Sequence, residues 1–310
     1  MSTVHAFNLI APTPEHEMLA DTLREFVARE VEPQAAAFNR EERFNLDLFR
    51  RAGELGFLGA TLPEAYGGSG LDATAAVQVM EALSTSDPAF ALSVLAHAIL
   101  FAQNLAVNGN ELQCKRLLPE IASGKRIGGL CMTEPGVGTD VLAMRSRARR
   151  DGGDYILDGT KTFITNGGVD EETLGDVMIV YAATGERQIS SFLVEKGMTG
   201  FRLGQKWKDK LGMRASYTTE LVFDGVRVPE ENRLGEEGAG TLQMMRNLEI
   251  ERLTLAAMSS GIALRCIEVM LSYSGERKAF GVPIREHGQI QRYIAESFAE
   301  FRAARVLIYD

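Results

Sequence analysis

Met244, Leu248, Glu251, Leu255, Met258 and Ile262 follow one another at intervals of 4, 3, 4, 3 and 4 residues, the spacing of a single stripe along a helix. A carboxylate within such an apolar stripe is costly unless it is paired or its pKa is raised. Two readings stay open for Glu251. Either it pairs with Arg252 or another cation, or reaches water where the stripe ends; or it is a general base in an apolar cleft, made basic by desolvation. A second group of residues carries hydroxyls. Residues 131–140 read CMTEPGVGTD, with Thr133 and Thr139 set among glycines and a proline. The segment is neither a Walker A loop nor a GxGxxG loop. Its glycines permit close backbone approach, and its threonines suit a planar heterocycle or a phosphate; the other reading is a plain loop entering a sheet. In the following KTFITNGG, Phe163 either covers the flat face of such a ring or fills a strand core.

These residues need elements to position them, and the period of the sequence changes twice. A helical zone spans 1–127. Thr13 is an N-cap with Pro14 behind it, and Leu19, Leu23, Phe26 and Val27 form a stripe that stops near Pro33. NLDLFRRAGELG, DATAAVQVMEALS and PAFALSVLAHAILFAQNLAV continue as helices, the last apolar nearly all round and therefore buried. PEAYGGSG breaks between them as a loop. A β zone spans 128–236. YILDGTKTFIT reads as two short strands around a type I′ turn at Asp158-Gly159. VMIVYAAT, ISSFLVEKG and TTELVFDGVRVP follow, the last with a second Asp-Gly turn. Strands without intervening helices predict an antiparallel β-domain or small barrel. A final helical zone spans 237–310. The fold class is thus α+β and multidomain: an N-terminal helical domain, a middle antiparallel β-barrel domain and a C-terminal helical bundle.

Bulk properties narrow the partners. The chain has 310 residues, 45% hydrophobic and 24% charged, with 33 Lys+Arg against 42 Asp+Glu for a net charge of −9. That balance, without a basic run, argues against nucleic acid or an anionic membrane as main partner. Three separated cysteines, Cys114, Cys131 and Cys266, build neither a disulfide framework nor a CxxC metal site. The start, MSTVHAFNLIAPTPEHE, has no basic n-region or apolar h-region, and no uninterrupted apolar run is read as membrane-spanning. The expectation is a soluble, cytoplasmic protein.

CMTEPGVGTD, DGTKTFITNGG, KLGMRASYTTELVFDGVRVPEENRLGEEGAG, LEIERLTLA and ERKAFGVPIREHGQIQ, in this order, resemble the acyl-CoA dehydrogenases. PEAYGGSGLD extends the resemblance to essentially the whole chain. It implies FAD held between the β-domain and the helices. The segment Leu130 to Thr139, with Met132, Thr133 and Gly138, resembles the stretch lining the flavin, Thr139 also touching the acyl-CoA. Phe163, Ile164 and Thr165 match the family's aromatic-Ile-Thr stretch against the isoalloxazine, with Phe in place of the usual Trp. Arg277 looks like the residue that reaches the FAD pyrophosphate of a neighbouring subunit. Gly288 falls where that pattern has glutamine, and Gln289 or Gln291 substitutes.

Most of the family carries its catalytic base near the C-terminus, in a segment like YEGTSQ; isovaleryl-type members carry it in a stretch like DLERLVLA. LEIERLTLA places Glu251 at that second position. Glu249 and Arg252 match neighbours that contact the CoA arm, Glu249 replacing the usual Asp; on spacing alone they read as an exposed ion pair. The resemblance implies α,β-dehydrogenation of an acyl-CoA to the trans-2-enoyl-CoA, electrons passing to an electron-transferring flavoprotein, and a homodimer or homotetramer. Two other classes stay open: an acyl-CoA oxidase or flavin monooxygenase on the same scaffold, and a non-catalytic fragment. The family continues past RVLIYD, so the bundle is expected to be incomplete and to expose apolar helix surface or cover it with another chain.

Overall fold

The computed structural model describes residues 13–310, so the reading of the first twelve residues as lacking a targeting segment lies outside it. Thr13 caps α1 (Pro14–Phe26) as expected, accepting the His16 N–H. The helix does not stop at Pro33. A π-helical turn, Val27–Val31, carries it directly into α2 (Glu32–Glu41), where the proline occupies the first turn and its missing N–H costs nothing. Then come α3 (Leu46–Glu54), capped by Asn45, and α4 (Ala73–Ser84), capped by Asp72. The apolar segment forms one rod: α5 (Pro88–Leu95), a π-helical stretch Ala96–Gln103, and α6 (Asn104–Asn108). α7 (Glu111–Ala122) closes the zone.

The rod Pro88–Asn108 and the later helix Gly240–Glu276 are both long and apolar enough to cross a membrane, contrary to the reading that no run reaches that length. The rod's apolar window is 72% buried within the protein, so its composition follows from its place in the core.

The middle zone is a sheet of eight strands: β1 (Gly128–Cys131), β2 (Arg147–Asp151), β3 (Asp154–Thr165), β4 (Val177–Gly185), β5 (Gln188–Glu195), β6 (Phe201–Lys206), β7 (Thr218–Pro229) and β8 (Arg233–Leu234). The path runs β6-β7-β3-β2-β4-β5-β8, with β1 beside β4. It is mixed rather than wholly antiparallel, since β1 and β2 both run parallel to β4. Its end strands β6 and β8 do not pair with each other among the described residues, so the expected barrel is an open sheet.

The Asp-Gly pairs are not hairpin turns. β3 and β7 each run straight through their pair, and the turn entering β3 uses Gly152 and Gly153 instead. The two pairs face each other: the Gly225 N–H donates to Asp158 Oδ1 at 2.8 Å, and the β3–β7 register shifts between Leu157 and Gly159. Gly159 has φ 149°, and a Cβ there would sit 2.2 Å from Ser146 Oγ. An Asp-Gly signal reports a need for unusual φ, which a β-bulge satisfies as well as a turn.

The chain then forms α8 (Gly240–Glu276), a small hairpin of β9 (Lys278–Ala279) and β10 (Val282–Pro283), and α9 (Gly288–Tyr309). α8 crosses α4 so closely that a Cβ on Gly261 would meet Glu81 O at 2.1 Å. Ala257 and Met258 of α8 join Leu23, Phe49, Leu83 and Val94 in one core, which ties the last zone to the first.

Candidate functional site

The loop after β1 is built around a buried ion pair. Lys161 on β3 is fully buried; its Nζ donates to Glu134 Oε1 at 2.9 Å and to Met132 O at 3.0 Å. The Glu134 carboxylate also accepts the N–H groups of Arg145 (2.6 Å) and Ser146 (3.0 Å). Burial alone would raise the Glu134 pKa; Lys161 and these donors outweigh it and hold the group below the usual carboxylate range. Glu134 and Val137 exchange backbone hydrogen bonds, closing a tight turn over Pro135 and Gly136. A Cβ on Gly136 or Gly138 would meet no protein atom within 4 Å, so no neighbour in the protein explains either glycine. Thr133 is half-buried, while Gly138 and Thr139 are exposed. Leu130 and Met132 are partly buried and pack against the core cluster that includes Leu62 and Leu117.

Beside this loop β3 bulges. Lys161 pairs with Leu221 and Ile164 with Thr219, so β3 carries one residue more than β7 across the interval. Phe163 lies in that interval with φ 58° and is 58% exposed. It is therefore not the strand-core residue that one reading expected. Ile164 is buried within the sheet core, and Thr165 is half-buried. The Thr162 N–H donates to Thr133 O at 2.9 Å, which fastens the bulge to the loop. Asn166 Nδ2 donates to Ser93 O (2.8 Å) and Gly128 O (3.3 Å), tying the same corner to α5 and β1.

Glu249, Glu251 and Arg252 share one turn of α8. Glu249 and Arg252 are exposed, and among the described residues no ion pair joins them, against the spacing-based reading. Glu251 is half-buried, and no ion pair or side-chain hydrogen bond reaches its carboxylate among the described residues, so the pairing with Arg252 is not the arrangement found. Burial raises its pKa above the ordinary carboxylate value, Arg252 opposing more weakly through space. The stripe itself lies rotated from the one spacing predicts. Met244 and Met258 are buried, but Leu255 is 39% exposed, and the buried face runs through Asn247, Thr254, Ala257 and Gly261. Glu251 thus lies on the margin of the buried face. Leu248, one turn earlier, packs against the same large core cluster that Leu130, Met132 and Val141 border.

Arg277 and Gln289 are exposed and lie beyond the other end of α8. Twenty-six residues of helix separate Arg277 from Glu251, roughly 39 Å along the axis, so one chain does not gather all the expected positions at one place. Sequence reasoning missed Lys161, Asn166 and Trp207. Lys161 left a signal: a lysine between two threonines and an apolar run, downstream of an acidic loop. A half-open pocket of about 470 Å³ around Glu81 and Arg305 lies elsewhere, reached by α8 only from Leu264 onward.

Comparison with known proteins covers most of the described chain. Three family descriptions match in order: acyl-CoA dehydrogenase, N-terminal domain (residues 13–125), middle domain (129–226) and C-terminal domain (238–310). A mitochondrial isovaleryl-CoA dehydrogenase of Pongo abelii is 40% identical over 304 residues, 96% of this chain and 70% of that protein. The butyryl-CoA dehydrogenase of Megasphaera elsdenii superposes with a TM-score of 0.92 at 32% identity, covering 97% of this chain and 79% of the other. An acyl-CoA dehydrogenase of Bacillus anthracis complexed with FAD gives 0.89 at 34% identity, over 96% and 50% of the two chains.

Proposed function

The chain belongs to the acyl-CoA dehydrogenase family, oxidoreductases acting on CH–CH bonds, and from that premise we propose that it oxidises an acyl-CoA thioester to the trans-2-enoyl-CoA with FAD as cofactor. A short branched acyl group is the substrate we assign, because the base lies at the isovaleryl-type position. The residues present fit the cofactor: two glycines with open space around them, half-buried hydroxyls at Thr133 and Thr165, and the exposed flat ring of Phe163. When bound, FAD supplies the two-electron acceptor for the hydride that leaves Cβ. We assign Leu130, Met132, Thr133, Gly138, Thr139, Phe163, Ile164 and Thr165 to holding it, and Arg277 and Gln289 to the cofactor of a neighbouring subunit.

Glu251 takes the α-proton. That proton is weakly acidic, so the reaction needs a carboxylate more basic than one in water and donors aimed at the thioester oxygen as charge develops. We assign Thr139 on the loop and Glu249 and Arg252 on α8 to holding the CoA arm. Excluding water from the cleft raises the basicity of Glu251 further. An electron-transferring flavoprotein is the acceptor we assign. The observation that carries the reading is the half-buried Glu251 carboxylate, which no ion pair or side-chain hydrogen bond reaches among the described residues and whose pKa burial raises.

The test is anaerobic bleaching of flavin absorbance by a panel of straight and branched acyl-CoAs. Bleaching is expected fastest with a short branched thioester. A yellow protein that no acyl-CoA bleaches would overturn the reaction; peroxide formed in air at the same rate would redirect it to an oxidase.

A further inference from the structure

Phe163 presents a problem of support. It is a non-glycine residue with φ 58°, in a bulge, with 58% of its surface exposed. Such a backbone persists only where the surroundings over-determine it, and an exposed ring gains little from its own packing. What braces it is Trp207, from the end of β6, some forty residues away in sequence. The two rings stack at 4.8 Å between centroids with 28° between planes. Trp207 is itself fixed twice more: its Nε1–H donates to Thr162 Oγ1 at 3.1 Å, and its backbone N–H donates to Thr218 O at 2.9 Å. Thr162 in turn donates its N–H to Thr133 O, so the indole, the bulge and the loop form one connected unit.

We propose that Trp207 is a positioning residue for the cofactor: it occupies the inner face of Phe163 and thereby aims the outer face at a planar heterocycle, giving a three-layer stack of indole, phenyl ring and ligand. This rests on the FAD assignment above. A ring with one face taken by an indole and the other open offers a single stacking surface of fixed orientation, and the rotational freedom of an exposed Phe is already lost before the ligand arrives.

The test uses the full chain and FAD itself, with dissociation constants from quenching of FAD fluorescence. Trp207→Leu is expected to weaken FAD binding about three- to tenfold, the range of an aromatic pair. Trp207→Phe, which keeps a ring on Phe163, is expected to recover most of that loss. In a Phe163→Leu background, Trp207→Leu is expected to change FAD binding no further, because the indole acts through the phenyl ring. Binding by Trp207→Leu equal to wild type, or losses that simply add in the double variant, would overturn the proposal. Trp207 is the chain's single tryptophan, so fluorotryptophan labelling yields one fluorine resonance, which needs no variant to fold. That resonance is expected to shift on saturation with FAD; with FAD bound and the resonance unmoved, the proposal fails while the cofactor assignment stands. A wild-type chain that takes up no FAD overturns the cofactor assignment, and this proposal with it.

Discussion

As the base proposed above, Glu251 would have to be ionised to accept a proton, yet basic enough to take one from a weak carbon acid, and its margin position on α8 suits both. Burial pushes its pKa up, so the rate of flavin reduction is expected to fall as pH drops through a value above the ordinary carboxylate range, and to level off above it. Glu251→Gln keeps size and polarity but cannot take the proton. FAD and acyl-CoA binding should survive, while reduction per bound flavin falls by about 10²- to 10⁴-fold or more. Stopped-flow mixing without oxygen reads this directly, and near-wild-type reduction would end the assignment. His97 titrates in the opposite sense. It is fully buried, its Nε2–H donating to Ile121 O (2.9 Å) and its Nδ1 accepting the Gly128 N–H (3.0 Å), so it bridges α7 to β1 as the neutral form. Burial lowers its pKa from 6.5 to about 4. Between those values the unfolded chain binds a proton that the folded one does not, so stability is whole above 6.5 and is lost as pH falls. The linkage amounts to about 3 kcal/mol by pH 4. Urea melts at stepped pH should show that slope, and His97→Gln should flatten it.

The loop 131–140 and strand β3 hold their shape through Glu134 and Lys161, two charges taken out of water together. Lys161→Met leaves a buried carboxylate short of its main cation, and removing one partner of such a pair costs about 3–5 kcal/mol. The urea midpoint of that variant should drop accordingly; a loss under 1 kcal/mol would mean that water already reaches Glu134. At this scale the sequence was readable where the information is local. The Thr13 cap, the rod apolar all round and the switch from helical to strand period all follow from neighbours within a few residues. It was misread where distant pairing decides. Asp158-Gly159 signals a turn to any short window, but β7 lies alongside and keeps β3 extended through it. Pro33 signals a stop, but a π turn just before it absorbs the missing donor. The stripe through Glu251 was placed on the right helix and turned too far, because only contact with α4 at Gly261 fixes which side is inward. Trp207 and Phe163 meet through a strand register that spacing along the chain does not encode.

Across the whole molecule, burial is uneven. The rod and the inner strands are enclosed, whereas α9 buries a single side chain, Phe301, against Leu264 and Ile267 of α8. Leu271 (44%), Tyr273 (57%), Tyr293 (54%) and Leu307 (77%) remain exposed along α8 and α9, and Phe280 (98%) is exposed at the β9–β10 turn, its ring edge-on to His287. Exposed apolar surface of this kind on neighbouring helices favours association in water. Arg277 lies three residues from Phe280 and far along α8 from Glu251, and its proposed role at a neighbour's cofactor needs a second copy of the chain. Self-association is therefore expected: a dimer, a tetramer or larger species by light scattering, growing with protein concentration. Leu271→Lys with Leu307→Lys adds a charge to the exposed apolar surface of each helix and should shift the distribution toward monomer, leaving the melting of the first helical zone and the sheet little changed, since both side chains are exposed. A homogeneous monomer that retains tightly bound FAD would contradict both the association and the assignment of Arg277 to a neighbour's cofactor, because every contact the cofactor needs would then come from one chain.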